Sequence, residues 1–159
     1  MSLKEILMED LKNSMKNKDT IRKNTITMVR AAIKQREVDE RIDLSDEDIL
    51  DIISKQVKEK RAAIVEFNRG NRQDLVDLTN SEIDILLKYL PEQLSEEEVE
   101  KIVVEVIDEL KATSMKDIGM IMKTVMPKVK GRTDGNIVNK VVRKIFFKAK
   151  MVEDIVRFM

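Results

Sequence analysis

Cysteine, histidine and tryptophan are all missing from this chain of 159 residues. Without cysteine there is no disulfide framework and no thiol nucleophile. Without histidine as well, imidazole bases and the ordinary zinc ligands are gone. A chain with no disulfides fits a reducing compartment, and a cytoplasmic location is the expectation. Aromatic residues make up 3% of the chain, too few to build stacking platforms for single-stranded bases. Only 4 glycines and 2 prolines punctuate it, so helices have few breakers. Nothing approaches the ~18 consecutive apolar residues of a membrane span, and no membrane partner is expected. Met1 to Met15 mixes acids and amides with its apolar residues and has no small-residue cleavage site, so no signal peptide is read there.

The familiar catalytic signatures are absent too. There is no Walker-type glycine–lysine loop and no dinucleotide fingerprint. Carboxylates are plentiful, but they fall on polar helix faces, where solvated surface charge is the ordinary explanation. Glu96, Glu97 and Glu98 follow one another at a helix start, where they complement the macrodipole but point to different sides and make no metal site. No catalytic residue, metal or cofactor is assigned.

What the chain does have is charge, at 38% of its residues, and long segments of helical apolar period. The fold class is all-α. Ser2 caps a first helix striped by Leu3, Ile6, Leu7 and Leu11. A second starts at Asp19 or Thr20, buries Met28, Val29, Ala32 and Ile33, and weakens near Asp43. Ser45 and Asp48 form a short-armed capping box for a third, carrying Ile49, Ile53, Val57, Ile64 and Phe67 and ending by Gly70. A fourth covers Asp74 to Tyr89, and Pro91 closes it. Ser95 and Glu98 box a fifth helix with Val99, Ile102, Val103, Val106, Ile107 and Leu110 on one side. Ser114 with Asp117 starts a sixth, buried through Ile118, Ile121, Met122, Val125 and Met126, that ends near Pro127. Asp134 or Thr133 caps a seventh, buried through Ile137, Val138, Val141, Val142, Ile145 and Phe146.

Tyr89-Leu90-Pro91-Glu92-Gln93-Leu94 reads as a hinge between two helical modules. The expected organisation is a bundle of about four helices over 1–91 and a three-helix tail over 92–150. Residues 151–159 either extend the last helix or fray.

Net charge is zero, but it is segregated. Residues 1–94 carry −2, 95–114 carry −5, 115–150 carry +8 and 151–159 carry −1. Three of the four glycines, Gly119, Gly131 and Gly135, fall inside the basic stretch. Lys116 and Lys123 are seven residues apart and share one side of the sixth helix. Lys128, Lys130 and Arg132 occupy the connector, where Gly131 and Gly135 permit close backbone approach. Lys140, Arg143 and Lys144 form a polar patch on the seventh helix, and Asp134 caps it. Cations beside a glycine turn at a helix N-terminus make an anion site, and the favoured anion is an RNA phosphate. With no aromatics interleaved, the reading is of a folded RNA's shape, not its bases. The competing reading is a basic tail folded back on the acidic helix before it, or a solubilising or acidic-partner face.

The chain resembles the family carrying the GatB/YqeY motif, and most closely its stand-alone YqeY members. The match runs through Lys18-Asp19 to Ala31-Ala32-Ile33-Lys34, Gln56-Val57-Lys58-Glu59-Lys60-Arg61, Arg72-Gln73-Asp74-Leu75 and Tyr89 to Ser95. It is most specific at Met126-Pro127-Lys128-Val129-Lys130-Gly131-Arg132-Thr133-Asp134-Gly135 with Val138-Asn139. It departs at Gly70-Asn71-Arg72, which has one extra residue, and at Met151 to Met159, which is longer than the usual end. The resemblance implies the two helical modules that end the B subunit of the glutamine-dependent amidotransferase acting on Glu-tRNA(Gln) or Asp-tRNA(Asn), where the tail engages tRNA. Related modules assist tRNA binding in some glutaminyl-tRNA synthetases. The amidotransferase's catalytic body has no counterpart in this sequence.

Three functions are therefore expected in order. The first is a non-catalytic module binding tRNA or aminoacyl-tRNA through Lys123, Lys128, Lys130, Arg132, Lys140, Arg143 and Lys144. The second is an adaptor for an aminoacyl-tRNA synthetase or amidotransferase subunit. The third is the carbon–nitrogen ligase activity, with glutamine as amido donor, that attaches to the family through the fused enzyme.

Overall fold

The computed structural model describes residues 1–159 as seven α-helices and one 3₁₀ turn, all-α throughout. The helices are α1 (Leu3–Lys16), α2 (Thr20–Glu40), α3 (Asp46–Arg69), α4 (Gln73–Leu87), α5 (Glu96–Leu110), α6 (Ile118–Val129) and α7 (Gly135–Phe158). They group into two compact units, Met1–Pro91 and Glu92–Met159.

In the first unit the helix starts are set by side chains that accept orphan backbone N–H groups. Ser2 and Glu5 form a reciprocal capping box at α1, and Ser45 and Asp48 form another at α3. Asp19 caps α2 by accepting from the Arg22 N–H at 3.2 Å. α1 pairs with α2, and α3 with α4. Between them lie Leu7, Ile26, Val29, Ile49, Ile53 and Leu86, all fully buried.

Two expectations change here. Met28 is half exposed, and Thr25 and Ile26 are buried instead. Thr25 is accommodated because its hydroxyl donates to the Ile21 carbonyl at 2.8 Å, leaving only its methyl to pack. α2 stops at Glu40, before Asp43, because Arg41 turns into the left-handed region at φ 54°. Polar links tie distant parts of the unit together. Glu37 pairs with Lys4 and accepts the Leu44 N–H at 2.9 Å. Lys60 meets Glu82 at 3.2 Å with both side chains largely buried. Leu90 packs on this core.

The second unit is a three-helix core made almost entirely of valine. Val99, Val103 and Val106 of α5 meet Ile121, Val125 and Val129 of α6 and Val138, Val141 and Val142 of α7. Each set keeps helical spacing, four and three residues in α5, four and four in α6, and three and four from Val138 in α7, one stripe per helix. Leu94 is partly buried against this core. Ser95 and Glu98 box the start of α5, and a 3₁₀ turn at Met115–Asp117, capped by Ser114, leads into α6.

α6 runs past Pro127 to Val129. A proline in the last turn forfeits one hydrogen bond but leaves the following N–H groups able to finish the helix. α7 also runs on, through the segment left open between helix and frayed end, to Phe158.

Candidate nucleic-acid interface

The connector between α6 and α7 is a closed turn. The Arg132 N–H donates to the Val129 carbonyl at 2.8 Å, which folds the chain back within three residues. Gly131 sits at φ 75° to allow it, a conformation that carries a steric penalty for any side chain with a Cβ. The turn is then laced to the strip preceding α5. The Leu94 N–H donates to the Arg132 carbonyl at 2.8 Å, Gln93 Nε2 donates to the Gly131 carbonyl at 2.8 Å, and Arg132 Nε donates to the Glu92 carbonyl at 3.1 Å. Asp134 accepts the Asn136 N–H at 2.9 Å and so caps α7.

Glu92, Gln93 and Leu94 were not among the sequence-derived site residues. A sequence signal existed, since all three belong to the Tyr89–Ser95 string that carries the family resemblance, but nothing in it says what they touch. Gly135 opens α7 with its Cα against the Met126 side chain. A Cβ there would lie 3.6 Å from Met126 Cε, so packing against α6 is its local role.

The cations on this frame are exposed, with one qualification. Lys116, Lys123, Lys128, Lys130, Lys140, Arg143 and Lys144 all face solvent, whereas Arg132 is partly buried and uses its Nε on the Glu92 carbonyl. Arg143 Nε donates to Asn139 Oδ1 at 2.7 Å, which fixes its guanidinium along α7. Two lysines meet acids of α5: Lys128 and Glu109 at 3.7 Å, Lys140 and Glu96 at 3.9 Å. Both pairs are long and solvent-exposed, so they contribute little and are screened by salt. Glu96 and Glu109 stand about 20 Å apart along α5, so Lys140 and Lys128 reach its opposite ends. The cations therefore form a band, not one point. Lys144 and Arg143 border a shallow hollow with Met115, Phe146, Phe147 and Lys150.

The exposed cations are spread along this face of the second unit. No cluster of acids in the structure could hold a metal ion, and no helix is long and apolar enough to cross a membrane.

Residues 4–146 match the family model described as Yqey-like protein. The chain belongs to the YqeY-like family. Its curated relatives include the Pyrenophora tritici-repentis protein named "Altered inheritance of mitochondria protein 41, mitochondrial". That protein is 30% identical over 142 residues, covering 87% of this chain and 78% of the relative. The Kluyveromyces lactis protein of the same name is 36% identical over 131 residues, covering 80% and 69%, and that of Lachancea thermotolerans 37% over 111 residues, covering 68% and 59%. These names overturn the expectation of a cytoplasmic location. That expectation rested on the lack of cysteine, which is equally compatible with other reducing compartments.

Proposed function

We propose that this YqeY-like chain is a non-catalytic RNA-binding module whose ligand is tRNA or aminoacyl-tRNA, held through its second unit. The observation that carries the reading is the exposure of the lysines and of Arg143 in the +8 segment, residues 115–150. Lys128 at the end of α6, with Lys130 and Arg132 in the connector, stands at a turn braced by four inter-segment and intra-turn hydrogen bonds. Bracing fixes the spacing of Lys128, Lys130 and Arg132 before a ligand arrives, which reduces the ordering cost of binding. Phosphates spaced along a folded RNA suit a band of cations, and the scarcity of aromatics favours shape over base stacking. The resemblance to the tRNA-engaging tail of the amidotransferase B subunit supports the choice of RNA. Asp134 and the two glycines are assigned to the frame, and the lysines and arginines to the phosphates.

Filter binding of the purified chain to tRNA tests this. Affinity should fall steeply with added salt, and a K128A/K130A/R132A variant should lose most of it at low salt. Equal binding by the two proteins would remove the site. Capture of a synthetase or amidotransferase subunit that survives nuclease treatment, with no RNA bound by the pure chain, would favour the adaptor reading instead.

A further inference from the structure

The family match stops at residue 146, yet α7 continues to Phe158. The added turns carry an apolar stripe, Phe147, Met151, Ile155 and Phe158, with Val152 on one flank and Val156 farther round the helix. Every one of these is exposed, from 48% at Met151 to 89% at Phe158. Together they present on the order of several hundred Å² of apolar surface, as much as the largest patch on a typical monomer.

From these residues the geometry points to a second copy of this chain as the occupant, paired antiparallel through the ends of the two α7 helices. The stripe is nearly its own mirror image. Its spacings are four, four and three residues, so reversing one copy sets Phe147 level with Phe158 of the other and Met151 level with Ile155. A twofold pair needs this self-complementarity, residue i meeting j while j meets i.

Charge agrees with that register. Lys150 and Asp154 lie on the same flank of the stripe, and the reversed pairing brings each level with the other's counterpart. A parallel pair would set Lys150 level with Lys150 and Asp154 with Asp154. Glu153 points to the opposite side of the helix and stays in water. The shallow hollow floored by Met115, Phe146 and Phe147 lies where the second copy's Phe158 arrives. Of its rim, Lys150 faces the segment carrying Asp154, whereas Arg143 and Lys144 lie beyond the end of the second copy's helix.

Sedimentation equilibrium on the full, nuclease-treated chain tests this. The expected mass is twice 18.5 kDa, reverting to a single chain in the Ile155→Asp variant with its helical circular dichroism unchanged. Lys150→Glu and Asp154→Lys should each weaken the dimer several-fold, and the double variant should restore it. Glu153→Lys should leave it intact. Association at all soluble concentrations limited to single chains would overturn the proposal. So would an Ile155→Asp variant that stays dimeric, or monomers that bind lipid vesicles through this face. Ile155 lies outside the cationic band, so tRNA binding by the monomeric variant reports separately on the RNA reading.

Discussion

Gln93 reaches across 38 residues of sequence to donate from Nε2 to the carbonyl of Gly131 at 2.8 Å. That carbonyl belongs to the one glycine held at positive φ, so the amide braces the turn at its least favourable point. Replacing Gln93 with alanine removes the brace without changing any charge. Unfolding of the second unit should become easier by about 1 kcal/mol, the usual net worth of one such bond. Binding to tRNA should weaken as well, with the slope against salt unaltered, because the number of phosphate contacts stays the same. A variant with a reduced salt slope would mean that Gln93 contacts the RNA itself.

Two glycines flanking the cations should behave differently when given a methyl group. Gly131→Ala forces a Cβ into the left-handed region and should cost about 1–2 kcal/mol. Gly135→Ala places its Cβ in ordinary contact with Met126, at a helical position where alanine is the better former, and should be neutral or mildly stabilising. Thermal unfolding of the two variants side by side checks the contrast. Equal losses would show that the second site is tighter than its geometry allows.

The acids of α5 pair with two of the lysines assigned to RNA in the proposed reading. Glu109→Gln frees Lys128, and Glu96→Gln frees Lys140. Because both pairs are exposed, each change should raise low-salt affinity for tRNA by no more than about fivefold, the upper worth of a surface pair. The gain should fade as salt screens it. A decrease in affinity would place the glutamates in contact with the ligand.

Much of the fold was legible because it is written in local, periodic signals. Ser2, Asp19, Ser45, Ser95 and Asp134 sit one residue before their helices and cap them, and each valine stripe of the second unit has helical spacing in the sequence. Met28 defied the stripe because Thr25, polar by type, could hide its hydroxyl on the Ile21 carbonyl. Pro127 defied its usual meaning because it falls so late in α6 that one lost bond does not end the helix.

The candidate interface was legible as a concentration of charge and glycine, but not as a structure. Its bracing comes from Glu92, Gln93 and Leu94, some forty residues away, through three backbone carbonyls and an N–H that every sequence possesses. The same holds for Arg132, whose Nε is used on a carbonyl that leaves no trace in residue type.

Tyr89 offers a test of long-range bracing in the first unit. Its hydroxyl donates to Asp10 Oδ2 at 2.5 Å, and Arg22 stands 3.8 Å from the same oxygen. Burial, and then the hydrogen bond to the Asp10 carboxylate, push the phenol pKa well above its usual value of 10, with Arg22 opposing the shift. An unfolded tyrosine loses its proton near pH 10 while the folded one keeps it, so above that pH the folded state holds one more proton. This contribution is fully present below pH 10 and is lost as pH rises towards the folded value. Tyr89→Phe should cost about 1.5–3 kcal/mol at neutral pH, as for a bond to a charged acceptor. The gap between wild type and variant should then narrow above pH 10, because only the wild type has the phenol to ionise. Urea unfolding of both proteins from pH 7 to pH 11 measures that gap, and a gap constant across the range would show that the phenol titrates alike in the folded and unfolded chains.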